Sequence, residues 1–246
     1  MFELSVSTTI DKQHYIAELY DKLNGEIKSE YGIAIKVNYL GRSYFSIAVA
    51  EKKKEYYKTK ILDYIVFMII DDYKFNYYKD NLLLLKQNIV SQSFLKAISI
   101  FDSEMDGEFI KEQIELSGEI LVDSLFHFKL RPLQEKWQKT ASVINQNQIL
   151  CSTESMIEVL KYLTNSSENF LMTANVFIEK KQIKFKKYSS YKYFKKDFNG
   201  YSNFLTELVR LNPLKINLKT TNDDCLNDNI VELLSRIFAD KIYLIN

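Results

Sequence analysis

Three features of the sequence predict an α+β fold: stretches of period-two alternation near each end, a long central stretch of helical period, and a scarcity of Gly (6) and Pro (2) in 246 residues. The predicted order is an N-terminal β-α-β-β-α part over 1–75, a helical region over 76–165, and a C-terminal β-β-α-β-α-β part over 166–246 that ends in a βαβ unit.

Phe2 to Ser7 alternates as a strand, and Thr8 with Asp11 three residues on marks a helix start. Ile16, Leu19, Tyr20, Leu23 and Ile27 then fall at helical spacing, with Gly32 as the stop. Ile33 to Tyr39 and Tyr44 to Ala50 flank Leu40-Gly41-Arg42-Ser43, a Gly-containing connection suited to a hairpin. A second helix is expected from about Lys53 past Asp72. Its most apolar stretch, Ile61 to Ile70, is about half a bilayer span and carries Asp63, so a core helix is predicted there.

From Asn76 to about Thr164 the period is helical, and no strand is predicted. Phe109, Ile110, Ile114, Leu121 and Leu125 form one expected stripe, Pro132 marks a break or first turn, and Trp137 falls on the following helix. After Asn165 the alternation returns. Phe170 to Ile178 and Gln182 to Tyr188 read as a hairpin, a polar connection leads to a short helix through Phe204 and Val209, and Pro213 ends it. Leu214 to Thr220 and Ile242 to Ile245, joined by a helix carrying Ile230, Leu233, Leu234, Ile237 and Phe238, complete the βαβ unit, which requires a parallel strand pair.

A chain of this length buries roughly 73% of its unfolded surface, and 46% hydrophobic with 26% charged residues is the balance of a globular protein. With 33 basic and 32 acidic side chains, no global field steers it toward nucleic acid or membrane. Cys151 and Cys225 lie far apart, and no basic-then-apolar segment opens the chain, so reduced thiols in a cytoplasmic protein are expected.

The strongest local chemical signal is the Lys- and ring-rich stretch around 180–196. Lys184, Lys186, Lys187 and Lys192 with Tyr188 and Tyr193 have the composition that contacts phosphates while stacking unpaired bases, or that lies on an anionic surface. A solvated hairpin edge guarded by Lys explains the same run. Asp102, Glu104, Asp106 and Gly107 open like a calcium loop, but Glu occupies the third position and Gln113 stands where the bidentate carboxylate belongs, so the run reads as an acidic helix start. His14 and His127 lack companions at ligand spacing, and no phosphate loop, dinucleotide fingerprint, nucleophile elbow or HExxH is present. No cofactor or metal is expected.

The run Phe128-Lys129-Leu130-Arg131, followed by Leu211-Asn212-Pro213, a strand, a helix ending in Ile237-Phe238 and a last strand, resembles the YtxC-like family of sporulation proteins of endospore-forming bacteria. Phe128, Lys129, Leu130, Arg131, Leu211 and Pro213 carry the likeness. The charged stretch usual after the first motif is replaced by the neutral Asn145-Gln146-Asn147-Gln148-Ile149-Leu150-Cys151. The resemblance implies a sporulation protein without an assigned activity. A non-enzymatic protein acting through a protein partner is therefore expected, with nucleic-acid binding by the Lys/Tyr hairpin as the alternative.

Overall fold

The computed structural model describes residues 1–83, 88–115, 118–147, 152–166, 173–179, 182–186, 193–196, 201–220 and 225–244. In chain order its elements are β1 (Phe2–Thr9), α1 (Gln13–Ser29), β2 (Ile33–Tyr39), β3 (Arg42–Val49), α2 (Lys54–Met68), α3 (Phe75–Asn81), α4 (Ile89–Phe101), α5 (Ser103–Gln113), β4 (Gly118–Leu121), α6 (Val122–Ser124), α7 (Arg131–Gln146), α8 (Thr153–Ser166), β5 (Thr173–Glu179), β6 (Gln182–Lys186), β7 (Tyr193–Lys196), α9 (Tyr201–Leu211), β8 (Lys215–Thr220), α10 (Cys225–Phe238) and β9 (Ile242–Leu244). Two wide π-helical turns, Ile69–Lys74 and Leu125–Lys129, interrupt the helical runs. The chain is an α+β protein, and no helix among the described residues is long and apolar enough to cross a membrane.

The described residues cluster into two compact units, 1–77 with 102–140, and 78–101 with 141–246. The stretch 76–165, expected as a helical region of its own, is thus shared between them. In the first unit a four-stranded sheet has the order β2-β3-β1-β4. β1 and β2 are antiparallel to β3, and β4 is parallel to β1. Helix α1 buries Ile16, Leu19, Leu23 and Ile27, the spacing that puts one stripe against the inward row Leu4, Val6, Phe45 and Ile47 of the sheet. Ile61, Ile65 and Met68 of α2, Ile110 of α5 and Trp137 of α7 are fully buried in the same unit. Each such side chain contributes about 1.5–3 kcal/mol of burial free energy.

In the second unit the sheet order is β7-β6-β5-β8-β9, with β5, β8 and β9 parallel and β6 antiparallel to both of its neighbours, β5 and β7. Ile216 and Leu218 of β8 are buried with Phe94 of α4, Leu160 of α8, Phe204 and Leu208 of α9, and Leu234, Ile237 and Phe238 of α10. Alternate β8 residues therefore face the helices, as a parallel pair requires.

Three expectations need correction. First, β1 runs on to Thr9, so Thr8 is not a helix start: it is buried in the strand opposite Ser43, and α1 begins at Gln13 after a 3-10 turn. Second, the stripe Phe109 to Leu125 is not one helix. α5 ends at Gln113, and Gly118, at φ +72°, leads into β4, which pairs with β1. A strand of four residues carries too little alternation to be recognised, and its identity comes from its partner. Third, the C-terminal part holds an additional strand, β7, where a polar connection was expected.

Candidate functional site

The site begins with the way α1 ends. Tyr31 lies in the left-handed region at φ +62°, its N–H bonds to the Lys28 carbonyl (3.1 Å), and the Gly32 N–H reaches back to the Ile27 carbonyl (2.9 Å). This is a Schellman stop with tyrosine at the position that usually holds glycine. Gly32 is required beside it, because a Cβ there would stand 2.8 Å from Ile27 Cγ2 and 3.1 Å from the Ala48 carbonyl oxygen. The backbone holds Tyr31 at a conformation that costs an L-residue roughly 1–2 kcal/mol, and its side chain is 99% exposed.

The following hairpin fixes what β2 shows to solvent. Leu40 (φ +46°) and Gly41 (φ +74°) form a two-residue turn with both central residues at positive φ, the type that matches strand twist, and Tyr39 closes on Arg42. That register sets Ala34 opposite Ile47, Lys36 opposite Phe45 and Asn38 opposite Ser43 on the inward side. Ile33, Ile35, Val37 and Tyr39 therefore take the outward side. They are 59%, 53%, 48% and 63% exposed, and Leu40 at the turn is 81% exposed. Six large apolar or aromatic side chains thus lie exposed within ten residues. β2 is also one of the two edges of the sheet among the described residues, β4 being the other. Because Tyr39 and Arg42 form the hydrogen-bonded closing pair, the alternation of an antiparallel ladder directs the backbone N–H and C=O of Ala34, Lys36 and Asn38 at that open edge. A lysine often guards such an edge, but the Lys36 ammonium lies 5.5 Å from the Tyr20 ring centroid of α1, on the inward side.

The interior of the same unit is polar in an opposite sense: its charges are matched. The π-helical turn after α2 presents four consecutive polar side chains, and each reaches a different element. Asp71 accepts from the Tyr15 hydroxyl of α1 (3.0 Å), and Asp72 pairs with Lys12 (2.5 Å). Tyr73 donates to Asp123 (2.5 Å), which also holds Arg42 (2.8 Å). Lys74, fully buried, bonds to Asp102 and Asp106 at 2.6 Å each. Asp106, also fully buried, takes Lys136 (2.8 Å) and the Trp137 indole N–H (2.9 Å) as well. Two ammonium groups and two carboxylates therefore meet, with Lys74 and Asp106 fully buried and Lys136 and Asp102 reaching solvent, an arrangement in which buried charge is tolerated. Burial opposes the Asp102 carboxylate, but Lys74 and Lys136 outweigh it and hold the carboxyl below its usual range. Lys136 is pushed up in turn, its desolvation outweighed by Asp102 and Asp106. Burial, reinforced by carboxylate neighbours, raises the Tyr15, Tyr64 and Tyr73 phenols. The ammonium groups face carboxylates and the three phenols donate to Asp71, Glu18 and Asp123, so the network ties α1, α5, α6 and α7 to the turn after α2.

The residues singled out in the sequence fall elsewhere. Phe128 and Lys129 lie on the second π-helical turn, Phe128 70% exposed, and they help to line a cavity of about 310 Å³ with Ile114, Glu119, Ile120 and Leu125. Leu130 is buried and Arg131 opens α7. These four belong to the first unit, whereas Leu211 at the end of α9 and the buried Pro213 belong to the second. Lys184 and Lys186 lie on β6 and Tyr193 on β7, where the register sets Lys184 opposite Lys195 and Lys186 opposite Tyr193. Lys187, Tyr188 and Lys192 lie outside the described residues. His14 and His127 are exposed and sit against the neighbouring rings of Tyr15 and Phe126. In the sequence Asp106 fits an acidic helix start; only its distance from Lys74 and Lys136 in three dimensions reveals its role. The β2 row did carry a signal, since Tyr31, Ile33, Ile35, Val37 and Tyr39 alternate with Gly, Ala, Lys and Asn.

Fold and site together define an α+β protein with a charge-paired interior and an apolar, unguarded sheet edge. The chain matches no family model, no curated protein and no solved structure.

Proposed function

We propose that this protein is a non-enzymatic, cytoplasmic protein that acts by binding a protein partner, as its resemblance to the YtxC-like sporulation proteins implies. The observation that carries this reading is the exposed apolar row of β2 at a sheet edge with outward-directed backbone groups, the feature through which a partner strand is added to a sheet. The left-handed Tyr31 supports it: backbone strain is spent to display an aromatic ring to solvent. The test is a photo-crosslinking amino acid at Tyr39 in sporulating cells, with Tyr162, another exposed tyrosine, as control. A protein adduct from position 39 and none from 162 is expected. Equal or absent adducts from both positions would remove the reading.

One observation favours a second reading, nucleic-acid binding by the β6–β7 hairpin. Its register sets Lys184 opposite Lys195 and Lys186 opposite Tyr193, which brings the basic and aromatic positions of the stretch onto paired strands. Single-stranded oligonucleotide binding that weakens steeply with salt, and that is lost on charge reversal at Lys186 and Lys187, is the expected result. A salt-independent or unchanged signal would remove it.

A further inference from the structure

We infer that the partner of the β2 edge is a second copy of this chain, paired antiparallel about a two-fold axis at Ile35 so that two four-stranded sheets become one of eight. The inference rests on the reading of β2 as a docking edge and deepens it.

The β2 edge is self-complementary. An isologous contact requires that the strand match its own reverse. With the axis at Ile35, Ile35 meets Ile35 of the second copy and Ile33 meets Val37, so the outward row of β2 pairs apolar with apolar. On the inward row Ala34 falls opposite Lys36, a small residue beside a long one whose ammonium is drawn toward Tyr20. Ala34, Lys36 and Asn38 are the residues whose backbone groups point outward, so Ala34 and Lys36 of each copy exchange hydrogen bonds across the axis. Shifting the axis by one residue to Lys36 places two ammonium groups directly opposite, which an antiparallel pair disfavours. Charge excludes that register, and a shift the other way, to Ala34, leaves only Ile33 to Ile35 paired because β2 begins at Ile33. Pairing also joins the exposed side chains Ile33, Ile35 and Val37 of the two copies into one continuous apolar row across the axis. A free peptide strand would bury the same edge, but nothing would supply it with the reversed copy of this apolar order.

The register makes a test that only this pairing passes. In full-length protein with Cys151→Ser and Cys225→Ser, Ile35→Cys places two thiols opposite each other at the axis, within disulfide reach. Oxidation is expected to convert Ile35→Cys to a covalent dimer. Ile33→Cys and Val37→Cys should each stay largely monomeric alone and cross-link when mixed. Light scattering of the unsubstituted protein should give twice the 29.0 kDa chain mass, and Ile35→Lys should return it to the chain mass with an unchanged circular dichroism spectrum. A monomer at all concentrations, or Ile35→Cys cross-linking no faster than Tyr162→Cys, overturns the inference. The two readings separate cleanly: a monomeric protein whose position-39 adduct in cells has another mass overturns self-pairing and leaves partner binding standing, whereas the absence of any adduct removes both.

Discussion

β2 and β3 are the two arms of one hairpin, yet they use the period of two in opposite ways. β3 turns Phe45, Ile47 and Val49 inward and leaves Ser46 and Ala48 half-exposed on the other side. β2 turns Ala34, Lys36 and Asn38 toward the helices and sends Ile33, Ile35, Val37 and Tyr39 out. The difference originates in the two-residue turn. A slip of one residue would exchange the faces of β2 and bury its apolar row, so the Leu40-Gly41 turn and the Schellman stop at Tyr31 together hold the strand in the register that exposes it.

Truncation should separate the two strands most strongly. Phe45→Ala on β3 removes a fully buried ring and should lower unfolding stability by about 3–5 kcal/mol in urea titration. Ile35→Ala on β2, measured at a dilution that dissociates any dimer, should stay within about 1 kcal/mol. Equal losses would mean that β2 is held by a layer of the fold itself. The support beneath the hairpin should be nearly as sensitive as Phe45: Asp106→Ala leaves the buried Lys74 ammonium with only Asp102, and a loss of about 3–5 kcal/mol is expected.

Smaller effects follow at the strained positions. Tyr31→Gly and Leu40→Asn each relieve a positive φ and should raise stability by about 1 kcal/mol. Tyr31→Gly should at the same time weaken partner binding, a separation of stability from function that a purely structural tyrosine would not give. The smallest expected effect is with pH. Because the folded Asp102 carboxyl is held below its usual value, the unfolded chain binds the proton first on acidification. Its contribution is fully present above the ordinary aspartate range and is lost as pH falls through the lowered folded value. Asp102→Asn should flatten that part of the acid-unfolding curve.

Much of the element order is legible in the sequence where periodicity is long. The stripe Ile16 to Ile27 marks α1, and Leu214 to Thr220 with Ile242 onward marks the parallel pair β8 and β9. What escaped has a common cause, namely decision by partners distant in sequence. β4 is a strand because β1 offers it an edge. Asp106 is a buried ion partner because α7 and the π-helical turn bring Lys136 and Lys74 to it. The apolar alternation of β2 is visible in the sequence, but alternation says only that two faces differ, and the natural assumption turns the apolar one inward. The turn and the Gly32 approach, not the strand itself, decide which face looks out.

Thiol labelling along β2 tests that orientation most directly. Single cysteines at Ile33, Ala34, Ile35 and Val37, in protein lacking Cys151 and Cys225 and diluted to the monomer, should react with a maleimide rapidly at 33, 35 and 37 and slowly at 34, where the native residue is 8% exposed. The reverse alternation, with 34 rapid and its neighbours protected, would contradict the outward apolar row on which the proposed docking edge depends.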